Sequence, residues 1–112
     1  MIKNNNNLNN EELKKINELF LEGFSFHKDG KIKKAKLIYE KILNVDSNNF
    51  DVLQLLGTIY AQEKNLKFAI KYFDKALNIN KDYYAIYNNK GNILQDFKHY
   101  DEALLNYNKA IE

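Results

Sequence analysis

Apolar residues in this chain fall on helical spacing in short runs, and each run is broken by a few polar residues before the next begins. Between positions 50 and 62, Phe50, Leu53, Leu56, Gly57 and Tyr60 make one stripe. Leu66, Ala69, Ile70, Phe73, Ala76 and Leu77 make the next, at the i, i+3, i+4, i+7 steps that keep one face of an α-helix dry. Glu63, Lys64 and Asn65 separate the two runs, which is room for a tight turn only. The same pattern along the rest of the chain predicts helices over 10–28, 32–45, 49–62, 66–79, 83–96 and 100–112, and so an all-α chain of helical hairpins. Asn48 or Asn49 is placed to cap the third helix and Lys81-Asp82 the fifth, while Asp101 and Glu102 put acid in the first turn of the sixth.

The runs repeat every 34 residues. Gly23, Gly57 and Gly91 stand in one column, Ala35, Ala69 and Ala103 in another, and Tyr39, Phe73 and Tyr107 in a third. Further columns hold Phe26, Tyr60 and Leu94; Leu19, Leu53 and Tyr87; Ile32, Leu66 and Tyr100; Leu43, Leu77 and Ile111; and an invariant Lys41, Lys75 and Lys109. A period of this length means a helical array. The small residues have a mechanical role: where two helices cross closely, a side chain beyond Gly or Ala would push the axes apart, and the aromatic column fills the wider gap beside it. Gly57 thus serves packing despite costing a helix about 1 kcal/mol against Ala.

Composition changes the picture only by exclusion. A chain of 112 residues makes one domain, burying about 65% of its unfolded surface. Net charge is +2, every basic residue is Lys, and there is no cysteine, so neither a disulfide framework nor thiol chemistry is expected. The Asn-rich residues 1–9 are expected to be a disordered leader. They lack the apolar run of a secretory signal, and no 18-residue apolar stretch follows, so a soluble cytoplasmic protein without membrane partners is expected. His27 and His99 each lie beside a predicted turn and a lysine, without metal-ligand spacing to another candidate ligand, and Ser25 would face away from His27 on the same helix. No catalytic residue, metal or cofactor is expected. Lys28, Lys31, Lys33, Lys34, Lys36 and Lys41 create a local positive field opposed only by Asp29 and Glu40. Without arginine or interleaved exposed aromatics this is expected to be a solvated helix face rather than a nucleic-acid site.

With these columns in place, the chain resembles a tetratricopeptide repeat (TPR) protein over residues 16–112. The clearest stretch is AIYNNKGNILQDFKHYDEALLNYNKAIE, which is similar to the family pattern of aromatic, Gly and large residue, then Tyr-Asp-Glu-Ala, an aromatic, and Lys-Ala. The first repeat departs most: Glu22 replaces the usual Leu, Lys36 stands in the column of Ile70 and Leu104, and Ile42 in that of Ala76 and Ala110. The Pro that often closes a repeat is replaced by Ser47 and Lys81. The resemblance implies a right-handed superhelical array, an α-solenoid, with repeats at 10–49, 50–83 and 84–112. The third would stop short of its full period.

The resemblance further implies a noncatalytic module that binds a protein or peptide in a concave groove lined by the first helix of each hairpin. The residues projecting there would be Asn17, Phe20, Leu21, Phe24 and His27; Asp51, Gln54, Leu55, Thr58 and Gln62; and Ala85, Asn88, Asn89, Asn92 and Gln95. Amides donate and accept hydrogen bonds without charge, which suits the backbone of an extended peptide. The Lys, Arg and Asn clamp with which some family members hold a chaperone carboxylate would fall on Phe20, Phe24, Leu55, Ala85 and Asn89, none of them basic. NNKGNIL is similar to the asparagine ladder of O-linked N-acetylglucosamine transferase arrays, with Asn89 on the ladder and Asn92 beside it, while Leu21 and Leu55 fill the other rungs. The alternative expectation is therefore the N-terminal substrate-docking array of a longer enzyme such as a glycosyltransferase. Apolar residues on the last helix, Leu104, Tyr107 and Ile111, predict self-association through it.

Overall fold

The computed structural model describes residues 7–112, so most of the expected leader lies outside it. Six helices follow in order: α1 (Asn10–Lys28), α2 (Ile32–Val45), α3 (Phe50–Gln62), α4 (Leu66–Ile79), α5 (Tyr84–Asp96) and α6 (Tyr100–Ala110). Against the expected bounds, α3 and α5 each begin one residue late and α6 ends two residues early. Among the described residues there is no sheet, and the chain is an all-α repeat array of three helical hairpins.

The chain divides into two compact units, one ending at Val52 and the other beginning at Leu53. In the first, α1 and α2 form a hairpin. Asn9 caps α1 by accepting from the Glu12 amide at 2.8 Å while the Glu12 carboxylate accepts from the Asn9 amide at 3.2 Å, a reciprocal capping box. The hairpin closes over Ile16, Leu19, Ala35, Ile38, Tyr39 and Ile42, all buried. A Cβ built on Gly23 would stand 2.8 Å from the Tyr39 ring, so only glycine lets α1 approach α2 this closely. Asn49 caps α3 by accepting from the Val52 amide at 3.1 Å.

In the second unit α3 packs on α4 and α5 on α6 through the same pairing. Cβ atoms on Gly57 and Gly91 would each lie 2.6 Å from the ring of Phe73 and Tyr107 respectively. Tyr60 stacks on Tyr72 with centroids 5.6 Å apart and meets Phe68 at 5.3 Å. Ile86, Ile93, Leu94 and Ala103 complete the buried set of the last hairpin. The cap expected at Lys81-Asp82 is not formed. The Asp82 amide instead donates to the Asn80 side chain at 3.2 Å, and Tyr83 stands at the N-cap of α5 without a side-chain cap. Asn80 thereby ties the turn to its own side chain and leaves Asp82 outside the helix.

The first helix of every hairpin ends in the same way. After α1, α3 and α5 the chain enters the left-handed region at Gly30 (φ 78°), Lys64 (φ 60°) and Lys98 (φ 64°), positions 34 residues apart. The amide of each donates back to the carbonyl three residues earlier, at 2.9–3.1 Å. The next amide reaches five residues back, at 2.8–2.9 Å, which is the Schellman closure of a helix. The fourth glycine, outside the packing columns, thus stands in a column of its own, and lysine fills the other two places.

Candidate functional site

Side chains on the facing sides of α3 and α5 enclose a groove of about 240 Å³ within the second unit. Thr58, Ala61 and Gln62 line it from α3; Asn89, Asn92, Ile93 and Asp96 from α5; and Phe73 from α4. Helical spacing produces this lining, since positions 58, 61 and 62, and positions 89, 92, 93 and 96, each fall on one face. Four residues expected in the groove from sequence, Thr58, Gln62, Asn89 and Asn92, are brought together here. Lys64 and Asp96 close one end with an ion pair of 2.7 Å. Both are substantially exposed, so the pair fixes geometry more than it stabilises the fold. Sequence reasoning missed Lys64, Asp96, Ala61, Phe73 and Ile93. The signal for the ion pair was opposite charge at positions close to one period apart.

The polar groups in and beside the groove differ in how free they are. Thr58 spends its hydroxyl proton on the Gln54 carbonyl at 3.0 Å and can offer a ligand only an acceptor. Tyr107 from α6 brings its hydroxyl to the Asn92 side-chain oxygen at 2.6 Å and the Gln95 side-chain oxygen at 2.8 Å. One phenolic proton serves one acceptor, so one of the two amides must turn its NH2 toward the phenol oxygen. Asn92 and Gln95 therefore support the hairpin as well as the surface. Asn89 is half-buried and among the described residues makes no side-chain hydrogen bond. Both its donor and its acceptor capacity remain open.

The residues expected from the first repeat lie on α1 as an aromatic strip. Phe20 and Phe24 stack at 6.1 Å with ring planes 7° apart, and Tyr39 meets Phe20 at 6.3 Å and His27 at 6.2 Å. The Tyr39 hydroxyl and His27 Nδ1 are 3.5 Å apart, a long contact, and burial raises the Tyr39 pKa so that the phenol keeps its proton. Lys28 lies over Phe24 at 5.3 Å and Lys34 over Phe26 at 5.5 Å, so part of the basic stretch covers rings instead of standing free. Asn17 is exposed on α1, and Asp51 is exposed in the first turn of α3. In the second unit Gln54 and Leu55 are half-buried, and Asn88 and Gln95 are exposed on α5. None of these four lines the α3–α5 groove.

Among the described residues no three His, Cys, Asp or Glu side chains form a group able to hold a metal ion, and no helix is long and apolar enough to cross a membrane.

Comparison with known proteins places this geometry. None of the curated proteins compared with the chain matches it by sequence. Among solved structures, the first TPR of Spaghetti (RPAP3), bound to the HSP90 peptide SRMEEVD, superposes with a TM-score of 0.80 at 22% identity, covering 88% of this chain and 78% of that one. The second TPR of Spaghetti, with the same peptide, gives 0.80 at 17% identity, covering 90% and 95%. MamA gives 0.81 at 18% identity, covering 86% of this chain and 56% of its own. At these identities the likeness is one of fold. The tetratricopeptide repeat family model matches residues 50–83 and again 84–112, together more than half of the sequence, and the chain belongs to the tetratricopeptide repeat family.

Proposed function

We propose that this chain is a noncatalytic protein-interaction module that holds an extended peptide segment in the groove between α3 and α5. The observation that carries the proposal is Asn89, a half-buried amide without an internal partner on the wall of a groove where Thr58, Asn92, Lys64 and Asp96 are already engaged. An open amide pairs with a passing peptide unit through one donated and one accepted hydrogen bond, reading backbone rather than side chain. Two of the structural neighbours are described with a bound peptide, which supports a peptide as the class of partner. The chemistry of binding would differ from a charged clamp, because Phe20, Phe24, Leu55, Ala85 and Asn89 occupy the clamp positions and the groove's one lysine, Lys64, is paired with Asp96. An uncharged internal segment fits better than a terminal carboxylate. A cytoplasmic setting belongs to the same proposal.

The test is selection of binding peptides from a library on the purified chain, followed by calorimetry. Asn89→Ala should weaken the selected peptide by about 1–3 kcal/mol with little change in stability, and Lys33→Ala with Lys34→Ala should leave it unchanged. Loss of binding in the lysine variant alone would transfer the site to the basic face. The docking-arm reading, in which the array feeds substrate to a glycosyltransferase in the same polypeptide, shares this groove and draws on Asn89 at the ladder position. Sequence beyond Glu112 in the reading frame decides between the two.

A further inference from the structure

A second groove in the same unit runs between α4 and α6, and none of the residues lining it belongs to the peptide groove. It encloses about 450 Å³ over the aliphatic side chains of Leu66, Ile70 and Leu94. An adjoining hollow of about 230 Å³ shares Lys90, Glu102 and Asn106 with it. Two residues on its wall are polar where the middle repeat buries an apolar side chain. Lys90 stands in the column where Leu56 is fully buried, and Asn106 in the column where Ile38 and Tyr72 are buried. Polar residues at positions that a packing pattern reserves for apolar ones work against stability, and such conflicts concentrate where a protein binds something. Lys90 is only 16% exposed and is held by Asp74 at 2.7 Å. His99 and Glu102 form a looser pair at 3.5 Å on the rim. The Asn106 amide nitrogen donates to the Glu102 backbone carbonyl at 2.8 Å, leaving its side-chain oxygen as an acceptor.

We propose that this outer groove binds a small zwitterion with an aliphatic body, an amino acid of the leucine type. The rim carries both signs at short range. A simple anion would have to share Lys90 with Asp74 beside Glu102, and a simple cation would sit between Lys67 and Lys90. A ligand bearing both charges offers its carboxylate to the lysines and its ammonium to Asp74, Glu102 and the Asn106 oxygen, so each rim pair is extended instead of broken. The volume admits the aliphatic body over Leu66, Ile70 and Leu94.

The experiment is titration of the full chain with leucine, 4-methylpentanoate and 3-methylbutylamine, followed through the methyl resonances of Ile70 and Leu94 and by calorimetry. Leucine should shift these methyls saturably at millimolar concentration or below, with each singly charged analogue weaker by about tenfold or more. Lys90→Leu supplies the residue that Leu56 buries one period earlier, so it should fold with an equal or higher Tm yet lose leucine binding. Asp74→Asn, at a half-exposed position, gives a second loss of binding without a packing change. Asn89→Ala should leave leucine binding intact and so separates this site from the peptide groove. The proposal fails if leucine moves no methyl of the groove, if 4-methylpentanoate binds as well as leucine, or if Lys90→Leu binds leucine unchanged.

Discussion

At Lys64 and Lys98 the backbone adopts a conformation that glycine supplies at Gly30 without strain. Lysine in the left-handed region costs on the order of 1 kcal/mol. Lys98→Gly should therefore stabilise the chain by about 0.5–1 kcal/mol after the extra freedom of the unfolded glycine is offset, while Gly30→Ala should destabilise it by a similar amount. Urea melts of both variants check the pair, and a loss of stability in Lys98→Gly would mean that this turn is held by its side chain. Asp46 is a second such case. It is buried, one carboxylate oxygen lacks a hydrogen-bond partner, and burial raises its pKa against the opposing effect of hydrogen bonds from the Asn48 amide and the Asn49 side chain. The folded chain thus keeps the Asp46 proton where the unfolded chain has lost it, so the folded state binds more protons. This residue's contribution to stability falls as pH rises from the ordinary value of 3.8 through the folded pKa. Asn80 fills the same column one period on, so Asp46→Asn is expected to raise Tm at neutral pH and to remove this fall in stability above pH 3.8. A lower Tm of the variant at neutral pH would reverse that assignment. Neither feature was legible beforehand, because a positive φ leaves no mark on a lysine and the burial of one aspartate depends on how a turn folds back.

The helices themselves were legible almost to the residue, because periodicity, small-residue columns and polar breaks all gave one register. What packing adds is the reason for that agreement: Gly23, Gly57 and Gly91 each lie against a ring on the other helix of the hairpin, so glycine and aromatic columns are two halves of one contact. Ala69 is fully buried in this register. Ala69→Leu should overpack the α3–α4 crossing and cost about 1–3 kcal/mol in a denaturant melt. Lys71→Ala is the comparison on the outer face, but Lys71 lies 5.4 Å from the centroids of both Phe68 and Tyr72, so it is not the bare surface position its sequence context suggests. Its loss should cost about 0.5–1 kcal/mol, still below Ala69→Leu. Equal effects would contradict the assignment of inner and outer faces. The groove was only partly legible for a related reason. Helical spacing picked Thr58, Gln62, Asn89 and Asn92, but the tie from Tyr107 to Asn92 and Gln95 joins two helices through side-chain geometry that no spacing rule contains.

Across the molecule the same column meets different surroundings. Leu77 on α4 is 7% exposed, whereas Ile111, one period later, is 84% exposed; Leu104 is 59% exposed in the column where Ile70 is half-buried. Removing such side chains from water is worth about 25 cal/mol per Å² of apolar surface, and an exposed strip of this kind favours association. The first helix differs. In the columns of Val52, Leu56 and Ile59, all buried, α1 carries Glu18, Glu22 and Ser25, all exposed. Joining α6 of one copy to α1 of another would bury those carboxylates without partners, so end-to-end growth is disfavoured and pairing of α6 with α6 is the form of self-association expected of this chain. Sedimentation equilibrium over a wide concentration range should show an apparent mass rising toward twice the monomer. Leu104→Lys combined with Ile111→Lys should hold the mass at the monomer value, and because both side chains are already largely exposed the melting temperature of the dilute chain should hardly move. An association that survives the double variant would place the contact elsewhere, on the aromatic strip of α1 or on the exposed tyrosines at the start of α5.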